Sequence, residues 1–121
     1  MSDEIRSFKD LRVWKRAYEL CLSIYRLSSG FPKYELYGIA EQMRRASVSI
    51  VSNIAEGYSR RSRKDYARFL QISYSSLSEL ETQILLSKDL GYMQESDYKV
   101  PLNLKEEVGG MLYKLIEKLR T

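Results

Sequence analysis

Apolar residues recur along this chain at alternating intervals of three and four, in four runs separated by short polar or glycine- and proline-bearing breaks. Such spacing returns to the same side of an α-helix, so each run predicts a helix with a buried stripe. The first, about 8–28, carries Leu11, Trp14, Tyr18, Cys21, Tyr25 and Ser28 as its seam. A second stripe, Val13, Ala17, Leu20, Ile24 and Leu27, lies about 100° round the same helix. Gly30 and Pro32 then stop it. The second helix, about 34–58, aligns Leu36, Ala40, Met43, Ser47, Ile50, Ile54 and Gly57, with Gly57 marking its C-terminal region. Its only polar line is Arg45, Ser49, Ser52 and Glu56, which describes a helix nearly surrounded by others.

The third helix, about 62–90, opens on Ser62 and Asp65, a capping box with aspartate in the place of Glu or Gln. Its seam is Tyr66, Phe69 or Leu70, Ser73, Leu77, Leu80, Ile84 and Ser87, and the serines at its middle allow a neighbour to approach closely. The fourth, about 96–119, presents Leu104, Val108, Met111, Leu112, Leu115 and Leu119. Pro101 and the Gly109-Gly110 pair predict a kink or a late start there. Four stripes of similar length on short connections predict one all-α domain, an antiparallel up-down-up-down four-helix bundle. The surplus apolar surface on the first two helices is covered by the remaining helices or by further copies of the chain; the second alternative predicts a homo-oligomer.

Composition narrows the chemistry. With no histidine among 121 residues, a Ser-His-Asp triad, a Cys-His nucleophile, an HExxH zinc site and a Glu-x-x-His di-iron site are all excluded. No carboxylate set has metal-binding spacing, so neither metal nor cofactor is expected. Cys21, the single cysteine, lies among Leu20, Leu22 and Ile24 and is expected to be a small buried hydrophobe. No leader-like stretch or membrane-spanning apolar run is present, which leads us to expect a cytoplasmic protein without membrane contact.

Charge singles out one segment. The whole chain carries +4, but residues 1–43 carry +1, residues 44–68 carry +5 and residues 69–121 carry −2. The excess comes from Arg44, Arg45, Arg60, Arg61, Arg63, Lys64 and Arg68. Arginine forks suit phosphate oxygens, and a helix starting at Ser62 adds free amide groups beside them. These seven are the candidate nucleic-acid-binding residues. They could equally keep a turn solvated or pair with Glu41, Glu56 and Asp65. Asn53 and Glu56 are expected to satisfy backbone or arginine groups at the end of the second helix.

The motifs FKDLRVW, FPKYE, QMRRASVSIVSNIAEGYSRRSRKDYARFL and SLSELETQ, in that order, resemble the bacterial four-helix-bundle proteins encoded in intervening sequences of 23S ribosomal RNA genes. The family's Arg-Arg-Ala and Asn-Ile-Ala-Glu-Gly signatures fall on Arg44 to Ala46 and on Asn53 to Gly57, with Glu56 between. Val51 stands where members often carry proline, and Tyr74-Ser75 where they carry Arg-Gly. The resemblance implies a homopentamer with no known enzymatic activity. The fold is also similar to the accessory variability protein of diversity-generating retroelements, which binds nucleic acid and a reverse transcriptase. By analogy these become candidate partners. The expected function is non-catalytic binding of RNA or DNA phosphates by an oligomeric bundle; the alternative is a protein-interaction scaffold.

Overall fold

The computed structural model describes residues 4–121. It contains four α-helices, α1 (Arg12–Ser28), α2 (Ile39–Tyr58), α3 (Arg63–Asp89) and α4 (Glu95–Arg120), with 3-10 turns at Phe8–Asp10 and Lys33–Glu35. The helices pack in the ring α1, α2, α3, α4 and back to α1, and neither diagonal pair comes into close backbone contact. Pairings between α2 and α3 run from Met43 with Ser87, through Ile50 with Ser73, to Gly57 with Phe69, so these helices are antiparallel. Arg63 with Lys118 and Glu81 with Lys105 give the same sense for α3 and α4, and Arg16 with Glu107 together with Arg26 and Leu27 beside Val100 and Pro101 give it for α1 and α4. The expected all-α four-helix bundle is the observed one.

Its centre is apolar and closed. Leu20, Ile24, Met43, Ile50, Ile54, Leu70, Leu80, Ile84, Val108 and Leu112 are fully buried. Close approach of α2 to α3 depends on small residues at the crossing. Ser73 Oγ donates to the Ile50 carbonyl at 2.8 Å, and the hydroxyls of Ser49 and Ser76 meet at 2.8 Å. These hydroxyls satisfy themselves on the facing helix, where a bulkier side chain would hold the backbones apart.

Several expectations change. On α1 the core face is the second stripe: Val13, Ala17, Leu20 and Ile24 are buried, while Tyr18 and Tyr25 of the expected seam are exposed. Both stripes are amphipathic, and only the neighbours' positions choose between them. Cys21 is half-buried beside Ser47, with Sγ 3.4 Å from its hydroxyl. Leu11 is extended (ψ 128°) and separates α1 from the Phe8–Asp10 turn, which Ser7 and Asp10 cap reciprocally. The amides of Arg6 and Ser7 hold the Asp10 carboxyl below the usual carboxylate range. The second helix also begins later than its apolar stripe, at Ile39, because Gly38 (φ −108°, ψ −118°) interrupts the helical path, and Leu36 ahead of it is exposed.

Gly57 lies one residue before the end of α2, as expected, and it also serves the packing of that helix. A Cβ built there would sit 2.9 Å from Phe69 Cβ and 3.1 Å from Tyr66, so glycine at this position lets α3 pack against α2. Helix α4 does not start late. It begins at Glu95, where the Gln94 amide donates to Asp97 Oδ2 at 2.9 Å, and it continues through a buried Pro101. The proline ring lies on the core face, and its burial offsets the missing backbone hydrogen bond.

Candidate nucleic-acid interface

The seven cations contiguous in charge are divided by the fold. Arg44 and Arg45 lie in the first turns of α2. Tyr58 ends that helix fourteen residues after Arg44, a rise of about 21 Å. Arg60, Arg61, Arg63, Lys64 and Arg68 therefore gather at the opposite end of the bundle, on the α2–α3 turn and the start of α3. Arg44 also has structural work: Nε donates to Ser28 Oγ at 2.8 Å, Nη2 donates to the Tyr25 carbonyl at 3.4 Å, and the guanidinium lies 5.0 Å from the Tyr25 ring centroid. It closes the C-terminal end of α1, where backbone carbonyls lack helical partners. Arg45 is solvated, with Glu41 at 3.8 Å.

At the other end the side chains are tethered to different degrees. Arg60 donates to Glu56 Oε2 at 3.1 Å and places its guanidinium 4.5 Å from the Phe69 ring centroid. Arg68 also lies 4.5 Å from that centroid, with Asp65 at 3.8 Å. One aromatic ring thus holds two cations in place, each by about 0.5–1 kcal/mol. Arg63 Nη2 donates to the Lys118 carbonyl at 2.7 Å and ties the start of α3 to the last turn of α4. Arg61 and Lys64 are exposed and make no hydrogen bond or ion pair with the described residues. Ser62 Oγ accepts from the Asp65 amide at 3.0 Å. This is the forward half of the expected capping box, and Asp65 does not return the bond.

The asparagine-to-glycine motif behind the cluster is structural in its contacts. Asn53 Nδ2 donates to the Ser49 carbonyl at 2.8 Å and to the Ser49 hydroxyl at 3.1 Å, which steadies the hydroxyl that meets Ser76. Glu56 accepts from Arg60, and Gly57 provides the close crossing. Tyr66 stands edge-on to Tyr58, with ring centroids 6.2 Å apart, and burial followed by the Tyr58 neighbour pushes its hydroxyl above the usual tyrosine range.

The fold adds one cation that a charge count by segment assigns to the acidic third of the chain. Arg120, in the last turn of α4, joins Arg63, Lys64 and Arg68 around an open groove of about 520 Å³. Its partner Glu117 lies 3.6 Å away. Antiparallel pairing of the third and fourth helices puts one's start beside the other's end, so the expected topology already contained the signal. Among the described residues no group of three or more Cys, Asp or Glu side chains could hold a metal ion, and no helix is long and apolar enough to cross a membrane.

Fold and surface together define an all-helical bundle with arginines concentrated at one end. The chain belongs to the family of 23S rRNA-intervening sequence proteins, whose model matches residues 9–114. Among solved structures it is similar to a protein of unknown function from the S23 ribosomal protein family of Bacteroides thetaiotaomicron VPI-5482. The two are 24% identical, superpose with a TM-score of 0.80, and match over 87% of this chain and 95% of the other. At that identity the likeness establishes the shared bundle. No curated protein matches the chain.

Proposed function

We propose that this chain is a non-catalytic, homo-oligomeric bundle of the cytoplasm that binds RNA or DNA phosphates through the α2–α3 end. One observation carries the reading: Arg60, Arg61, Arg63, Lys64 and Arg68 converge on one exposed surface that Arg120 joins from α4, with Glu56, Asp65 and Glu117 as the neighbouring acids. Arg61 and Lys64, which make no hydrogen bond or ion pair with the described residues, are the two most available to a phosphate. Arg44 is left to its structural role, and Arg45, at the far end, is outside the proposed surface. Assembly is supported by a second feature, the exposed stripe Tyr18, Leu22 and Tyr25 on α1. The pentameric number rests on family resemblance.

The test is a salt titration of binding to a duplex and to a single strand. The logarithm of the affinity is expected to fall linearly with log salt, and removing one phosphate contact reduces the slope by about 0.9 on duplex DNA and about 0.7 on a single strand. Arg61→Ala and Lys64→Ala should each flatten the slope by about one contact, whereas Arg45→Ala leaves it unchanged. Capture of a specific protein after nuclease treatment, with binding to nucleic acid that ignores salt and these substitutions, would overturn the reading in favour of an interaction scaffold.

A further inference from the structure

The cationic cleft at the end of the bundle continues along the outer seam between α3 and α4. Gln71 and Arg120 line both the first segment and a second of about 290 Å³. Tyr74 and Tyr113 line both the second and a third of about 340 Å³, where Lys105 and Lys114 follow. The three segments are one groove, cationic at its mouth and walled by two tyrosines further along. Tyr113 is 59% exposed and Tyr74 39% exposed. Neither makes an aromatic, cation–π or hydrogen-bond contact with the described residues, so no such partner competes with a ligand for their rings. The acids on the rim are already engaged: Glu117 with Arg120 at 3.6 Å and Glu106 with Lys105 at 3.3 Å.

A ligand complementary to this groove carries phosphates at one end and flat aromatic groups about 10 Å further along, the rise of α4 between Tyr113 and Arg120. A duplex keeps its base faces stacked inside and is too wide to enter a seam between two packed helices. An unpaired strand offers both features, since every base has a face that stacks on an aromatic side chain. We propose that the α3–α4 groove binds single-stranded nucleic acid, with phosphates on Arg63, Lys64, Arg68 and Arg120 and bases stacked on Tyr74 and Tyr113. This rests on the phosphate-binding reading above and adds to it a preference for unpaired strands. Stacking and phosphate contact use no 2′-hydroxyl, so RNA and DNA strands are both expected to bind.

The experiment is fluorescence anisotropy of the full chain with labelled oligo(U), oligo(dT) and a duplex, each about 12 nucleotides long. Both single strands should bind more tightly than the duplex. Tyr74→Leu combined with Tyr113→Leu should weaken the single strands roughly tenfold or more and leave the duplex unchanged, while Lys64→Ala with Arg68→Ala should weaken all three. Leucine keeps the apolar stems, and an unchanged circular dichroism melt will show that the double variant folds. Equal affinity for duplex and single strand, or a tyrosine variant that binds oligo(U) normally, overturns the groove assignment while the phosphate reading stands. A tyrosine variant that changes only the solution mass assigns the groove to contact between copies and overturns it too. Salt-dependent binding to none of the three defeats both.

Discussion

At the scale of single residues, two glycines with the same sequence appearance have opposite roles. Helical glycine ordinarily costs about 1 kcal/mol relative to alanine. Gly110 has nothing within 4 Å of a built Cβ and no positive φ. Gly110→Ala is therefore expected to stabilise the fold by about 0.5–1 kcal/mol. At Gly57 the new methyl would meet Phe69 Cβ at 2.9 Å and the Tyr66 carbonyl oxygen at 3.2 Å. Those atoms are fixed to the α3 backbone and cannot rotate away, and overpacking of this kind costs about 1–3 kcal/mol. Gly57→Ala should lower stability by up to about 2 kcal/mol once the propensity gain is set against the overpacking. Urea midpoints of the two variants compared with the parent will check the signs; a stabilised Gly57→Ala would show that α3 can retreat from α2.

At the scale of elements, the bundle's stripes were legible in the sequence because burial imposes period. Leu70, Ser73, Leu77, Leu80, Ile84 and Ser87 are all buried as their spacing requires. Period does not say which of two stripes on α1 faces inward, nor where a long-range tether replaces a helical turn. The Lys33–Glu35 turn is such a case. Tyr92, beyond the end of α3, donates its hydroxyl to Glu35 Oε2 at 2.8 Å and lies 3.4 Å from the Tyr34 hydroxyl, while Glu35 Oε1 accepts from the Ile39 amide at 3.4 Å. Residues 57 positions apart are joined there, so no local pattern announces them. The Tyr34 hydroxyl and then the Glu35 carboxylate raise the Tyr92 hydroxyl well above the usual tyrosine range. The unfolded chain gives up this proton first, so the Tyr92 contribution is intact below about pH 10 and is lost as pH rises through the folded value. Tyr92→Phe is expected to lower the melting temperature at pH 8 and to flatten the decline above pH 10. Thermal melts across that range decide it, and an alkaline limb as steep as the parent's would place the tether elsewhere. The candidate site was legible in the same limited way: the residue types on the α2–α3 turn were visible, but Arg120 joined them only through helix pairing.

At the scale of the whole molecule, the proposed assembly surface and the proposed binding groove lie on different sides of the ring. Tyr18, Leu22 and Tyr25 follow each other at spacings of four and three on the outward face of α1. Arg44 of α2 reaches the Tyr25 carbonyl, and Val48, one turn further along α2, is also exposed, so the patch spreads over α1 and α2. The groove runs between α3 and α4. Copies joined through α1 and α2 would therefore leave each groove open and present several cationic ends to one strand. Linked sites of this kind raise affinity for long ligands by about 10²–10⁴-fold without any new contact. Leu22→Glu places a charge in the patch at a position already 39% exposed, so the chain can keep its core. Its mass in solution is expected to fall to that of one chain, 14.2 kDa. Affinity for a strand long enough to span several copies should fall by at least tenfold, while affinity for a strand that fills one groove stays unchanged. Light scattering gives the mass and anisotropy the two affinities. An unchanged mass would move the assembly surface away from α1, and equal losses on short and long strands would show that the groove is not complete within one chain.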